Sequence, residues 1–206
     1  MTLRLVALTD LSRFPRPARA LAPLCRRALP GSVAVVLRDR DAPVRLRLEV
    51  GRELREVTGE AGQALLVSDR VDLALELHAD GVHLPADGLL PGEAAGLLPG
   101  GTVGRSHHGA EDLPADERAQ CAYLLVSPAF AERKGRPALG AAALAARLVK
   151  LRALTPGVRL MVLGGVDAGS APLALLAGAD GVAAISAAHD AMGQLALLDA
   201  LGLARD

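Results

Sequence analysis

Aromatic side chains are almost absent from this chain. Its 206 residues include one tyrosine (Tyr123), two phenylalanines (Phe14 and Phe130) and no tryptophan. A platform on which nucleobases stack needs several exposed rings, so single-stranded nucleic acid is excluded as the main partner. Charge of one sign is missing too: 23 Lys plus Arg balance 23 Asp plus Glu. No overall field draws the protein to a duplex or an acidic membrane. The two cysteines, Cys25 and Cys121, each adjoin an apolar run, where a reduced, buried thiol is expected. No Cys/His spacing suggests zinc, and neither a nucleophile elbow nor a Walker loop occurs. No apolar run is long enough to span a bilayer, and the first residues lack a signal-peptide core. These absences point to a soluble, cytoplasmic protein that binds a small molecule, with no nucleic acid and no membrane among its partners.

What is present is a regular alternation. Short apolar runs at 3–8, 33–37, 64–67, 81–84, 102–104, 123–126, 160–163 and 181–185 read as strands. They are apolar on both faces, as parallel strands covered by helices are. Helical patterns fill the gaps, near 17–29, 44–60, 70–78, 91–98, 109–120, 140–154, 169–178 and 190–203. The length suits one domain, 1–206, and eight βα units predict an α/β (β/α)8 TIM barrel at the small end of its range. An open doubly wound sheet would carry a glycine fingerprint after its first strand, and Leu8-Thr9-Asp10 has none. Ala79-Asp80-Gly81-Val82 recurs as Ala179-Asp180-Gly181-Val182, four units later, at the starts of strands four and eight. The motif reads as a tight helix-to-strand turn in which glycine can take a positive φ. The Ala/Leu-rich helix faces suit either the core or a contact within a homo-oligomer.

In such a barrel, functional groups lie just past the C-terminal ends of the strands. Two glycine-rich segments stand out there, Leu163-Gly164-Gly165-Val166 and Gly178 to Ser186. Glycine admits close backbone approach, helix N-termini favour anions, and the last two loops of a barrel often hold a phosphate. Gly164, Gly165, Ile185 and Ser186 are the expected phosphate-binding residues. The other strand ends carry Arg38, Asp39, Arg40, Asp41, Ser68, Asp69, Asp87, Arg105, Ser106, His107, His108 and Arg133-Lys134-Gly135-Arg136. The arginines outnumber the acids, so a basic mouth is expected, able to grip phosphate or carboxylate by paired hydrogen bonds. Asp69 reads as the N-cap of the helix that follows it, or with Asp87 as a magnesium ligand. His83 reads as a core histidine, His78 as structural at a helix end, and His189 as a surface residue starting a helix. Of the adjacent His107 and His108, at most one faces a ligand, where it can move protons near neutral pH.

Taken in order, these stretches resemble the thiamine phosphate synthase/TenI superfamily over essentially the whole chain. The matching runs are Val35 to Asp41, Ser68-Asp69-Arg70-Val71-Asp72, Ala79 to Leu84, Gly104-Arg105-Ser106-His107-His108, Ser127-Pro128-Ala129-Phe130, Gly164-Gly165-Val166 and Ala177 to Ala183. The resemblance implies a (β/α)8 barrel acting on a thiazole phosphate, by one of two activities. The synthase couples hydroxymethylpyrimidine pyrophosphate to thiazole phosphate, with Mg²⁺ on the departing pyrophosphate. The TenI-type tautomerase aromatises a carboxythiazole phosphate by moving a proton, without a cofactor. A third reading is a non-catalytic phosphate-ligand binder on the same barrel. Departures from the synthase pattern favour the tautomerase, an isomerase. Only Asp87 remains of two acids after strand four, Val36 replaces a glutamine, and Ala131-Glu132-Arg133-Lys134 lacks two threonine hydroxyls, its glutamate expected to repel pyrophosphate. In that branch His108 matches the catalytic base. Arg38 or Arg40 steadies the carboxylate, and Ser68, Ser106 and Lys134 complete the substrate contacts. Asp69 and Asp87 hold Mg²⁺ only in the synthase reading.

Overall fold

A computed structural model describes residues 3–109, 113–133 and 135–205. Eight parallel strands close into one barrel in sequence order. They are β1 (Leu5–Leu8), β2 (Val33–Leu37), β3 (Ala64–Ser68), β4 (Gly81–Leu84), β5 (Thr102–His107), β6 (Tyr123–Val126), β7 (Arg159–Leu163) and β8 (Gly181–Ala184). The helices between and after them are α1 (Pro17–Arg27), α2 (Val44–Ala61), α3 (Val71–Glu76), α4 (Pro91–Leu97), α5 (Ala115–Ala119), α6 (Gly140–Leu154), α7 (Ala171–Leu176), α8 (Ser186–His189) and α9 (Ala191–Leu201). β8 closes onto β1 in the register Leu5↔Val182, Val6↔Ala183, Ala7↔Ala184. The expected TIM barrel is therefore the fold.

Strand alternation divides the apolar residues into two shells. Leu5, Val35, Val67, Leu124 and Val162 pack outward under the helices. Val6, Val36, Leu66, Tyr123, Leu125 and Met161 fill the interior. Both faces of the strands' apolar segments are thus dry, which is why they read as continuous apolar runs. Apart from α5, which buries no side chain, the helices each bury residues against the barrel. On α2 the buried stripe is Arg47, Val50, Gly51, Leu54, Thr58 and Ala61, at helical spacing, and the helix stops at Gly62 with φ 67°. Burial pushes the Cys25 thiol up to about 12 and that of Cys121 up to about 11, so both stay reduced and unreactive small hydrophobes. Among the described residues, no helix is long and apolar enough to cross a membrane.

Three boundaries differ from the sequence reading. β5 continues to His107, so Arg105, Ser106 and His107 lie in the strand and alternate between its faces. β8 ends at Ala184, and Ile185 caps an additional short helix, α8. Asp190 then caps α9, accepting the Gly193 N–H at 2.7 Å, so the helix expected at 190–203 is α9 and α8 is an addition before it. Of the expected helix at 109–120, only α5 is formed among the described residues, and 110–112 lie outside them.

The Ala-Asp-Gly repeat has a shared physical basis. The Asp80 carboxylate accepts the Leu65 N–H at 2.8 Å and the Arg55 guanidinium at 2.7 Å. Asp180 does the same with Leu160 N–H at 2.7 Å and Arg152 at 2.6 Å. Each aspartate ties the start of the preceding strand to the preceding long helix. The glycines are not there for a positive φ, as the sequence suggested. A Cβ on Gly81 would stand 2.0 Å from the Thr102 carbonyl oxygen, and one on Gly181 2.3 Å from that of Arg4. Gly81→Ala is expected to destabilise the barrel by at least about 1–3 kcal/mol in urea unfolding. Gly96→Ala, inside α4 where an added Cβ meets nothing within 4 Å, is expected to be neutral or stabilising by up to about 1 kcal/mol.

Candidate functional site

The C-terminal ends of the strands open on a cavity of about 830 Å³. Leu8, Leu125 and Leu163, from the interior shell, line it together with Ser68, His83 and Ser106. The loops after β1 and β2 are bound to each other first. The Thr9 hydroxyl donates to Asp39 Oδ2 at 2.5 Å and accepts the Arg38 N–H at 2.9 Å, while the Leu11 N–H donates to Asp39 Oδ1 at 2.6 Å. Asp39 is thus a clamp between two strand ends. Arg38 donates from Nε to the Thr9 carbonyl at 3.3 Å and pairs with Asp10 at 3.8 Å.

The next pair of loops carries Asp69 and Asp87. Asp69 has φ 68° and lies 3.8 Å from Arg40. It is not the cap of α3: that position is Arg70, and no side chain caps it. Asp87 lines the cavity, and the next residue, Gly88, packs so close that a Cβ there would lie 3.2 Å from Asp69 Oδ1. On the far side Arg133 and Arg136 exchange backbone hydrogen bonds at 3.0 Å and both line the cavity. Burial lowers the pKa of Arg133, and the charge of nearby Arg38 adds to the effect. An anion between them would relieve that repulsion.

The expected basic mouth needs correction. Among the described lining residues, Arg38, Arg40, Arg133 and Arg136 meet Asp10, Asp39, Asp41 and Asp87, so charge is balanced there. Arg105 does not belong to the mouth. It is 5% exposed on the outer face of β5 and donates to the carbonyls of Leu89 at 2.8 Å and Ala86 at 2.7 Å, strapping down the loop after β4. Glu132 is exposed and does not line the cavity, so the repulsion expected from it is not aimed inward. Lys134 lies outside the described residues.

The glycine turns also differ from expectation. Gly178 precedes β8 and Gly181 begins it, so both lie at the opposite end of the barrel from Gly164 and Gly165. Gly164 (φ 114°) and Gly165 (φ 68°) require glycine, but the close neighbour is protein: Cβ atoms there would lie 2.9 Å from the amides of Ala129 and Ala131. The Phe130 N–H donates to the Gly164 carbonyl at 2.7 Å, seating the loop after β6. Among the described residues, the N–H groups of Gly165 and Ser186 have no backbone acceptor. Ile185 caps α8, and the Ser186 hydroxyl accepts from Arg13 at 3.0 Å. None of the four lines the large cavity, which departs from the expectation that they hold its phosphate; Leu163, next to Gly164, does line it.

The histidines separate cleanly. His108 lines the cavity, with Nδ1 3.1 Å from the Ser127 hydroxyl oxygen, whereas His107 faces a second groove beside Arg118 and Arg147. His83 is buried on β4, 2.9 Å from the Tyr123 hydroxyl and 3.0 Å from that of Ser106. His78 is exposed just past α3. His189, expected at the surface, is buried at the end of α8, bonded to the Ile185 carbonyl at 2.8 Å and stacked on Phe14 at 4.4 Å. Arg13, on the Ser186 hydroxyl, and a buried helix residue both escaped the sequence reading. Arg47, on the buried stripe of α2, is 3% exposed and donates to the Ser68 carbonyl at 2.8 Å. Its signal was a guanidinium at a core-facing helical position.

With this geometry in view, comparison with known proteins is decisive at the family level. The thiamine monophosphate synthase (TMP-TENI) family matches residues 5–188. The chain belongs to that family. It is 38% identical over 166 residues to the thiamine-phosphate synthase of Methanoculleus marisnigri, spanning 80% of this chain and 78% of that one. It is 35% identical over 187 residues to that of Albidiferax ferrireducens, spanning 90% and 84%. A solved thiamine phosphate pyrophosphorylase from Pyrococcus furiosus has the same fold, with TM-score 0.78 and 24% identity over 98% of this chain and 96% of that one. This member of the TMP-TENI family is an enzyme of thiamine biosynthesis, and its relatives carry the synthase's name rather than the tautomerase's.

Asp87 lines the cavity, whereas Asp69 stands on the adjacent loop outside the lining, paired with Arg40; both offer the hard oxygen donors that a magnesium ion requires. Two carboxylates on adjacent loops, with hard oxygen donors, are what Mg²⁺ takes when substrate phosphates and water supply the rest. Among the described residues no three His, Cys, Asp or Glu side chains converge, so protein alone makes no closed metal cage.

The buried His83 generates a pH prediction. Burial, with Arg40 and Arg38 adding, lowers its pKa from 6.5 to about 3. The imidazole is neutral in the folded protein but takes up a proton in the unfolded chain below about 6.5. Its contribution to stability is therefore complete above that pH and lost progressively as pH falls toward about 3. In urea unfolding the native protein is expected to lose roughly 1.4 kcal/mol more than His83→Gln for each pH unit below about 6.5.

Proposed function

We propose that this TMP-TENI family member is a thiamine-phosphate synthase, coupling hydroxymethylpyrimidine pyrophosphate to thiazole phosphate with release of pyrophosphate. The observation that carries this reading is that one cavity is lined by four arginines and Asp87, with Asp69 on the neighbouring loop paired to the lining Arg40. Such a site can hold polyphosphate and divalent cation at once. A tautomerase needs one phosphate and one base, and has no use for the carboxylate pair. The cavity, at about 830 Å³, is at the upper end of the range for small-molecule sites, as two substrates require. The names of the relatives support the same activity.

In this reading Asp69 and Asp87 hold Mg²⁺, which neutralises charge on the departing pyrophosphate when bound. Arg133 and Arg136 grip its outer oxygens, replacing the absent threonine hydroxyls with charge. Gly165 and Ser186 offer amides to the thiazole phosphate, and Arg13, held on the Ser186 hydroxyl, adds a cation beside it. Ser68 and Ser106 contact the heterocycles. A second reading keeps one specific observation in its favour: His108 faces the cavity with Nδ1 near Ser127. That is where a base for aromatising carboxythiazole phosphate would stand.

The test is to incubate the protein with both synthase substrates and Mg²⁺, and separately with the carboxythiazole phosphate tautomer. Coupling is expected, abolished by chelation and lowered at least about a hundredfold by Asp69→Asn. Aromatisation without coupling, lost in His108→Ala, would establish the tautomerase instead.

A further inference from the structure

Inside the barrel, beneath the cavity, Tyr123, His83 and Ser106 form a hydrogen-bonded chain. The Tyr123 hydroxyl lies 2.9 Å from His83 Nδ1, and His83 Nε2 lies 3.0 Å from the Ser106 oxygen. Tyr123 is fully buried and His83 is 3% exposed. Ser106 lines the cavity. The arrangement depends on a glycine two residues before Ser106. A Cβ on Gly104 would lie 2.1 Å from the phenol ring, so only glycine leaves the space that Tyr123 occupies.

The direction of this chain follows from counting protons. A buried phenol must donate its proton, and among the described residues the acceptor within reach is His83 Nδ1. Burial raises the pKa of Tyr123, so that proton stays on the phenol, and the imidazole is neutral with a single N–H. With Nδ1 accepting, the N–H resides on Nε2 and donates to the Ser106 oxygen. The Ser106 hydroxyl proton then has one direction left, into the cavity. The opposite arrangement, Nδ1–H donating to the phenol oxygen, would strand the phenol proton in the dry interior, at a cost of about 1–3 kcal/mol.

We infer that Tyr123 is a positioning residue: by fixing the Nε2–H tautomer of His83 it makes Ser106 a hydrogen-bond donor to the substrate. The site consequently favours a ligand presenting an acceptor atom at Ser106, because the hydroxyl proton is not spent on His83. A hydroxyl on an otherwise unrestrained serine has no such preference. The substrate side of this inference rests on the synthase reading; the tautomer does not.

The closing experiment has two arms. In protein labelled with ¹⁵N-histidine, His83 is expected to show a pyridine-type Nδ1 and a protonated Nε2, and Tyr123→Phe to shift or average that pattern. A protonated Nδ1 in the native protein overturns the proposal whatever the enzyme's activity. In the coupling assay, Tyr123→Phe is expected to raise the KM of one substrate about tenfold with little change in kcat, and the effect should vanish in a Ser106→Ala background. Ser106→Thr, which keeps the hydroxyl, is expected to retain the dependence on Tyr123. If Tyr123→Phe lowers thermal stability but leaves KM unchanged, the residue is structural only and the inference fails. Absence of coupling in the native protein, with the expected tautomer present, sinks the synthase reading and leaves the donor assignment standing.

Discussion

β8 pairs with β1 through a three-residue parallel register, and the architecture of the site depends on that closure. A parallel barrel has no edge strand, and every strand must point the same way. All eight C-terminal ends therefore lie on one rim, however far apart they are in the chain. Closure also demands that neighbouring backbones approach closely at the opposite end. Gly81 and Gly181 sit where any side chain would meet the next strand's carbonyl, and the aspartate before each binds the preceding strand and helix. The repeated Ala-Asp-Gly is thus part of the closing apparatus, half a barrel apart. It has no direct part in chemistry.

At the functional end, charged groups are held by the fold before any ligand arrives. Asp39 is committed to Thr9 and Leu11, Arg105 to two carbonyls of the loop after β4, and buried Arg47 to the Ser68 carbonyl. A buried guanidinium that satisfies carbonyls fixes loop geometry at less cost than one left unpaired. Arg133 and Arg136 are different: one short backbone turn sets them side by side facing the cavity. Preorganised positive charge of this kind stabilises an anion without rearrangement when it binds. Beneath it lie Leu8, Leu125 and Leu163 of the apolar interior shell beside the His83 chain and Ser68, so ring and phosphate portions of a substrate meet different surroundings.

Much of this was legible in the chain. Eight apolar runs separated by helical patterns specified a barrel, because strands dry on both faces have few other packings. Ser68, Ser106, His108, Arg38, Arg40 and Asp87 were located by counting residues past strand ends, and all six line the cavity. Their number says nothing about which way a side chain points. β5 runs three residues further than its apolar core, since polar residues near a barrel mouth can still pair as strand. That extension turned Arg105 and His107 outward and Ser106 inward. The threonine-less loop after β6 looked hostile to pyrophosphate because of Glu132, yet the glutamate is exposed and off the cavity lining, whereas Arg133 and Arg136 line it.

The sequence by itself determined the fold and the family, because both are written in patterns that repeat along the chain: strand periodicity, glycine and aspartate at turns, the order of short motifs. Only the tertiary structure decided which charges cancel, which glycines make room for protein, and which histidine meets the cavity. Arg40 and Asp69 are 29 positions apart in the chain, and His83 and Tyr123 are 40 apart. Pairings of that separation arise from barrel closure and the alternation of strand faces, and local sequence carries no trace of either contact.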